Sequence, residues 1–201
     1  MKTTRKYTMG ARAEAVEETR RRIIDALVHL AETRPFADIS LDDVAGGAQV
    51  SVQTVLRRFG SRDALFAEAM RTAQSNVQAE RRTPPGDVEA AVRTVVDHYE
   101  KRGRVALLML AQEDHDPFAR RVTDFGKALH RTWVRDAFAP QLAELTDDET
   151  TLDLLVVATD VYTWKLLRVD RGLSRATAER RMRILVDAVL ASATTPRKDT
   201  L

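Results

Sequence analysis

Residues 37–66, ADISLDDVAGGAQVSVQTVLRRFGSRDALF, constrain the chain most, because they pack successive helix starts and stops into one short run. Ser40 precedes Leu41, Val44 and Ala45, with Asp43 three residues on. A hydroxyl and a carboxylate therefore stand where the first unpaired amides of a helix need acceptors. That helix is short: Gly46 and Gly47 each cost roughly 1 kcal/mol relative to Ala, and Gln49-Val50-Ser51 supplies a turn and a fresh cap. A second helix covers residues 52–59 and ends at Gly60, a residue tolerant of positive φ. Ser61, with Asp63 in the first turn, opens a third helix carrying Ala64, Leu65, Ala67, Ala69 and Met70. Two short helices across so tight a turn form the geometry that places the second in a DNA major groove.

The flanks support that unit. From residue 11 to 34, Val16, Ile23, Leu27 and Leu30 recur at helical spacing with Ile24 and Ala31 beside them, and Pro35 ends the pattern. This stripe is expected to pack on the helix-turn-helix, with Phe36 and Ile39 closing the corner; residues 1 to about 10 lack apolar periodicity and are expected to form a flexible arm. The formal charge is only +2, from 32 basic and 30 acidic residues, so charge has to be judged locally. Up to residue 22, seven basic residues (Lys2, Arg5, Lys6, Arg12, Arg20, Arg21, Arg22) face three glutamates, a surplus at the end that carries the candidate DNA reader.

Beyond it the chain reads as helical throughout. Aromatic content of 5% and 8 Gly argue against a β-sandwich, and abundant Ala, Leu, Arg and Glu favour an all-α fold of about nine helices. Thr83-Pro84-Pro85-Gly86 breaks the helix that begins near Arg62. Asp87 caps a helix expected to stop at Gly103, followed by a nearly all-apolar helix from Arg104 to about Asp114. Pro117 starts a long helix through Phe138. Thr146 and Glu149 have capping-box spacing ahead of a helix expected over 147–170, and Ser174 caps a last one over 175–193. There is no Cys, no phosphate-cradling glycine loop and no His-Glu-x-x-His, so an enzyme is not expected. The longest apolar run, Val105 to Ala111, is too short to span a bilayer, and the basic N-terminus leads into a charged helix; a cytoplasmic protein is expected.

Three blocks, Ser40-Leu41-Asp42-Asp43-Val44-Ala45, Val50-Ser51-Val52-Gln53-Thr54-Val55 and Arg58-Phe59-Gly60-Ser61-Arg62-Asp63-Ala64-Leu65, resemble the DNA-binding domain of the TetR family of bacterial transcriptional regulators. The resemblance covers roughly the first 70 residues; residues 71–201 resemble the family's ligand-binding and dimerisation domain in length and helical character. It implies a homodimer that binds palindromic double-stranded operator DNA and responds to a small organic effector, with no cofactor and no membrane partner. Ser40, Ser51, Val52, Gln53, Thr54, Leu56, Arg57, Arg58 and Arg62 are placed toward DNA, and Gln53 is the favoured base reader because an amide pairs bidentately with adenine. The helical wheel differs at one point: it puts Val52, Val55, Leu56 and Phe59 in one buried stripe, whereas the resemblance buries only Val55 and Phe59. Family members commonly carry Gly where Gln49 sits and Tyr where Leu56 and Arg58 sit, so a phosphate-binding phenol is missing.

For the second domain the resemblance places His98, Met109, Glu113, Phe125, Trp133, Tyr162 and Trp164 on the helices that line the effector cavity. Dimerisation through the last two helices suggests Val157, Val161, Leu185 and Val189 as interface positions. No metal site is expected: Glu113, Asp114, His115 and Asp116 are consecutive, and consecutive residues on a helix diverge. The sign of regulation is open between repressor and activator, with repressor favoured. The rival reading is a helical ligand-binding or interaction dimer whose DNA-binding module has degenerated.

Overall fold

Helical periodicity is realised along the described residues. The computed structural model describes residues 4–31, 33–145 and 148–194, without the side chains of residues 4–9, 11, 12 and 194. Among the described residues no strand forms; the helices are α1 (Thr4–Ala31), α2 (Leu41–Gly47), α3 (Val52–Phe59), α4 (Arg62–Glu80), α5 (Val88–Leu110), α6 (Pro117–Ala137), α7 (Ala139–Leu142), α8 (Asp148–Ala158), α9 (Val161–Lys165) and α10 (Arg175–Thr194). The chain divides into two compact units, Met1–Ser75 and Asn76–Leu201. The division falls inside α4.

In the first unit, Ile23, Ile24, Leu27 and Ala31 of α1 are buried together with Ile39, Val44, Ala45, Ala48, Val55, Leu65, Phe66 and Ala69. Each large apolar side chain so buried contributes about 1.5–3 kcal/mol. Phe36 stacks edge-on to Phe66, centroids 5.6 Å apart, and closes the corner after Pro35. The helix expected from residue 11 begins instead at Thr4, so residues 4–10 continue α1 where an arm was expected. α1 and α2 approach closely at Gly47, where an added Cβ would stand 3.2 Å from Cβ of Ala26.

In the second unit, α5 packs on α6, α9 and α10, and α8 packs on α6 and α10. Their shared core includes Val92, Val95, Val96, Tyr99, Trp133, Val134, Phe138, Leu152, Leu155, Met182 and Val186. Three expected boundaries move, each for a local reason. α5 runs through Gly103 to Leu110 as one helix. Gly103 is there to admit the Trp164 indole, since a Cβ on it would lie 2.6 Å from a ring carbon. α6 ends at Ala137, and Ala139–Leu142 makes a separate turn with Pro140 in its first positions, where a missing amide costs nothing. The expected 147–170 helix is broken at Thr159–Asp160: Asp160 is extended and caps α9, accepting from the Tyr162 amide at 2.8 Å. α9 then widens into a π-turn over Leu166–Asp170, with the Arg171 amide donating to Leu166 O at 3.2 Å. The expected Thr146/Glu149 capping box, and the tail after Thr194, lie outside the described residues.

The apolar core of this unit encloses a polar cluster. Arg81 is 6% exposed. Its guanidinium lies over the rings of Tyr99 and Trp133, 5.4 and 5.6 Å from their centroids. Nη1 donates to Nδ1 of His130 at 3.0 Å. The Arg81 carbonyl accepts from the Trp133 indole N–H at 2.7 Å. Burial, reinforced by the Arg81 charge, pushes His130 down to about 3 and His98 down to about 4, so both rings are neutral at pH 7. Proton accounting then fixes the tautomer of His130. Nδ1 accepts from Arg81; Nε2–H donates toward Val156 O at 3.3 Å and Thr159 Oγ1 at 3.2 Å. The Thr159 hydroxyl passes its own proton to Leu155 O at 2.7 Å, and the Tyr99 hydroxyl donates to Thr159 O at 3.1 Å. On the far side Glu80 accepts two bonds from Arg102, both 2.9 Å, and lies 3.2 Å from Nδ1 of His98; Arg102 first of all holds its carboxyl down at about 2.

Two measurements check this packing. Gly103→Ala should lose about 1–3 kcal/mol in urea titration, because the indole that must yield is a rigid ring whose N–H is bonded to Glu100 at 2.9 Å. In the unfolded chain His98 and His130 take up protons below about pH 6.5. The folded state binds fewer protons from there down to about pH 4, so stability falls with pH across that window. Going from pH 7 to pH 5 should cost about 2 kcal/mol per ring, and His130→Gln should reduce the slope.

Candidate functional site

The segment from α2 to α3 is built from its caps inward. Ser40 Oγ accepts from the Asp43 amide at 3.1 Å while the Asp43 carboxylate accepts from the Ser40 amide at 2.9 Å, a complete capping box on α2. Arg34 Nη1 adds a bond to Asp43 at 3.1 Å. These hydrogen bonds, those from Ser40 foremost, hold the Asp43 carboxyl well below the usual carboxylate range. Ser51 caps α3, accepting from the Thr54 amide at 3.2 Å, and Gly60 ends it at φ 82°.

The connecting turn closes with two backbone bonds, Val50 N to Ala45 O at 3.0 Å and Gln49 N to Gly46 O at 3.1 Å. That pairing is a Schellman motif, which requires a left-handed residue just past the helix end. Gln49 takes that place with φ 56°. The turn keeps its register, and a side-chain residue bears a left-handed conformation costing about 1–2 kcal/mol.

On α3, Val55 is 0% exposed and anchors the helix inward, while Leu56 is 40% exposed. The wheel's single stripe is thus corrected at Leu56, which joins Gln53 and Arg57 on the open face; Val52, Thr54, Arg58 and Phe59 are half-buried. The Arg58 Nε is buried without a partner. Arg62, expected near phosphate, turns part of its side chain inward. Its Nη2 donates to Phe36 O at 2.7 Å and to Ile39 O at 3.1 Å, its Nε donates to Ile39 O at 3.2 Å, and it lies over the Phe66 ring. The side chain supplies donors to carbonyls around the Phe36–Asp38 turn, a need that nothing in the sequence announces.

The seven residues expected around an effector lie in varied surroundings. Met109, His98, Trp133 and Trp164 are buried, Phe125 is half-buried and Tyr162 is exposed. Glu113 pairs with Lys127 at 2.6 Å. A hollow bounded by Arg135, Ala139, Leu142, Ala143, Asp148 and Leu152 contains none of the seven. Trp133 and His98 border the Arg81 cluster, whose members Arg81, His130 and Thr159 escape sequence reasoning. A lone His on an amphipathic helix and an Arg after a helix end carry no signal of burial. Of Glu113, Asp114 and Asp116, the first faces Lys127, the second Arg120 and the third caps α6. Among the described residues no group of three potential ligands converges on a metal position.

Of the four expected interface positions, Val157 is 62% exposed and Leu185 is also open, but Val161 is buried and Val189 packs against the core. Leu154 on α8 and Ile184 on α10 are exposed beside them. Ile184 was legible as an apolar residue outside the Ala178, Met182, Val186 stripe that α10 buries.

Residues 23–69 match the family model for bacterial regulatory proteins of the tetR family. Curated protein sequences offer no match. Among solved structures, a transcriptional regulator from Rhodococcus sp. Rha1 is 21% identical, with 88% of this chain and 98% of that one covered at a TM-score of 0.65. A TetR transcriptional regulator from Streptococcus agalactiae 2603V is 16% identical, covering 89% and 98% at 0.59. The multidrug binding protein EbrR, complexed with imidazole, is 22% identical, covering 89% and 91% at 0.55. Residues 23–69, which hold the outward-facing α3, thus match the model for bacterial regulatory proteins of the tetR family, and the chain shares its fold with these solved regulators.

Proposed function

We propose that the protein is a homodimeric transcriptional repressor. In this reading α3 of each copy reads one half of a palindromic operator, and a small organic effector bound in the second unit releases the DNA. The observation that carries the reading is α3 itself. Val55 is fully buried while Gln53, Leu56 and Arg57 stand open. The Gln53 amide suits the N6/N7 edge of adenine, Arg57 a phosphate, and the Ser40 and Ser51 helix starts lie where backbone amides meet the DNA backbone. Exposed Leu154, Val157, Ile184 and Leu185 on the packed pair α8 and α10 support a two-fold apolar interface. EbrR's complex with imidazole supports a small-molecule role for the shared fold. Release needs only that effector bind more tightly to a dimer conformation that no longer spans two half-sites.

A second reading, a ligand-binding dimer with a degenerate reader, draws on two observations: Leu56 in place of a phosphate-binding phenol, and Arg62 turned inward. Gel-shift titrations on the gene's own upstream DNA separate the two. Gln53→Ala should cost about 1–3 kcal/mol at particular base positions, whereas Arg57→Ala should weaken all sequences alike and lower the salt slope by about 1. If no fragment is retarded at low salt, the degenerate reading takes over; Gln53→Ala without effect removes Gln53 as the reader. Sedimentation of Val157→Glu combined with Ile184→Glu should show monomer where the parent chain shows dimer.

A further inference from the structure

The guanidinium of Arg81 is a buried cation with no anion beside it. Among the described residues no carboxylate lies within ion-pair distance of it, and its Nε is buried without a partner. Native cores almost always pair such a charge or neutralise it, and arginine does not lose its proton. What surrounds it compensates only in part. The faces of Tyr99 and Trp133 offer their quadrupoles, and His130 and the Tyr99 hydroxyl offer neutral acceptors. Asp160, the partly buried acid that feels this charge, is committed to capping α9.

We propose that Arg81 is the anchor for an organic anion, a carboxylate on a flat or apolar body, which is the effector of this protein. The inference rests on the ligand-binding reading of the second unit. Nη1 is taken by His130, and the buried Nε has no partner. That Nε–H is the donor left for a ligand's carboxylate oxygen, a charge-assisted bond. The two aromatic rings beside the cation would flank the ligand's body, and the Tyr99 hydroxyl lies in the same cluster.

The test uses the full chain and matched probes: sodium benzoate, cinnamate and octanoate against benzamide, cinnamamide and octanamide, by thermal unfolding at about 10 mM ligand and by calorimetry. At least one carboxylate should raise the melting temperature while its amide does not, and Arg81→Met should weaken that carboxylate about 30-fold or more. Without ligand, Arg81→Met should still fold, with a melting temperature lowered by no more than the lost hydrogen bond to His130 accounts for, because no ion pair is broken. Should Arg81→Met fail to fold, Arg81 is structural and the proposal falls. It falls equally if no carboxylate binds, if the amides bind as well, or if sodium chloride at the same concentration matches the effect. Carboxylate binding that leaves operator DNA bound would uphold the anchor and remove the effector reading. Operator release by amides alone would do the reverse.

Discussion

An eight-residue helix does not hold itself together in water, because nucleation costs more than so few hydrogen bonds return. Helix α3 therefore exists only as far as Val55 is buried and Ser51 caps its start. Everything the outward face can do depends on that inward attachment. The same holds one step back: α2 is shorter still, and it stands on the Ser40–Asp43 box, the Arg34 bridge and the close approach of Gly47 to α1. Local capping sets where these helices begin, and one shared core sets where they point.

The first unit was largely legible because its signals are local. Caps, glycines and turn residues act within four positions of themselves, and the structure realises Ser40, Ser51, Gly60 and Ser61 where they were read. What could not be read involves partners far along the chain. Arg62 bonds carbonyls more than twenty positions away, so its charge looked free. Gly103 looked like a helix end because the indole it accommodates lies sixty-one residues on, at Trp164. Thr159–Asp160 was read through because the apolar pattern resumes at Val161 as if nothing intervened. In each case a long-range contact overrode a sound local rule.

The second unit shows the converse economy. Its helices were found from apolar spacing, but the chemistry sits where that spacing is silent. Arg81, His130 and Thr159 link the end of α4, the middle of α6 and the end of α8 through side-chain hydrogen bonds around one buried charge. A core stitched this way is specific in geometry and sensitive to what changes its electrostatics.

The Thr83-Pro84-Pro85-Gly86 segment has the composition of a loose tether, yet the Gly86 amide donates to Ala137 O at 2.8 Å and Gln141 donates back to Gly86 O at 2.9 Å. Gly86, at φ 86°, also sits too near Pro140 for any larger residue to fit comfortably. This stretch is a clasp fastening one end of the bundle. Anyone looking for a seam at which to cut the polypeptide, or to splice in a tag, would be misled by its prolines and would open the second domain instead of separating it from the first.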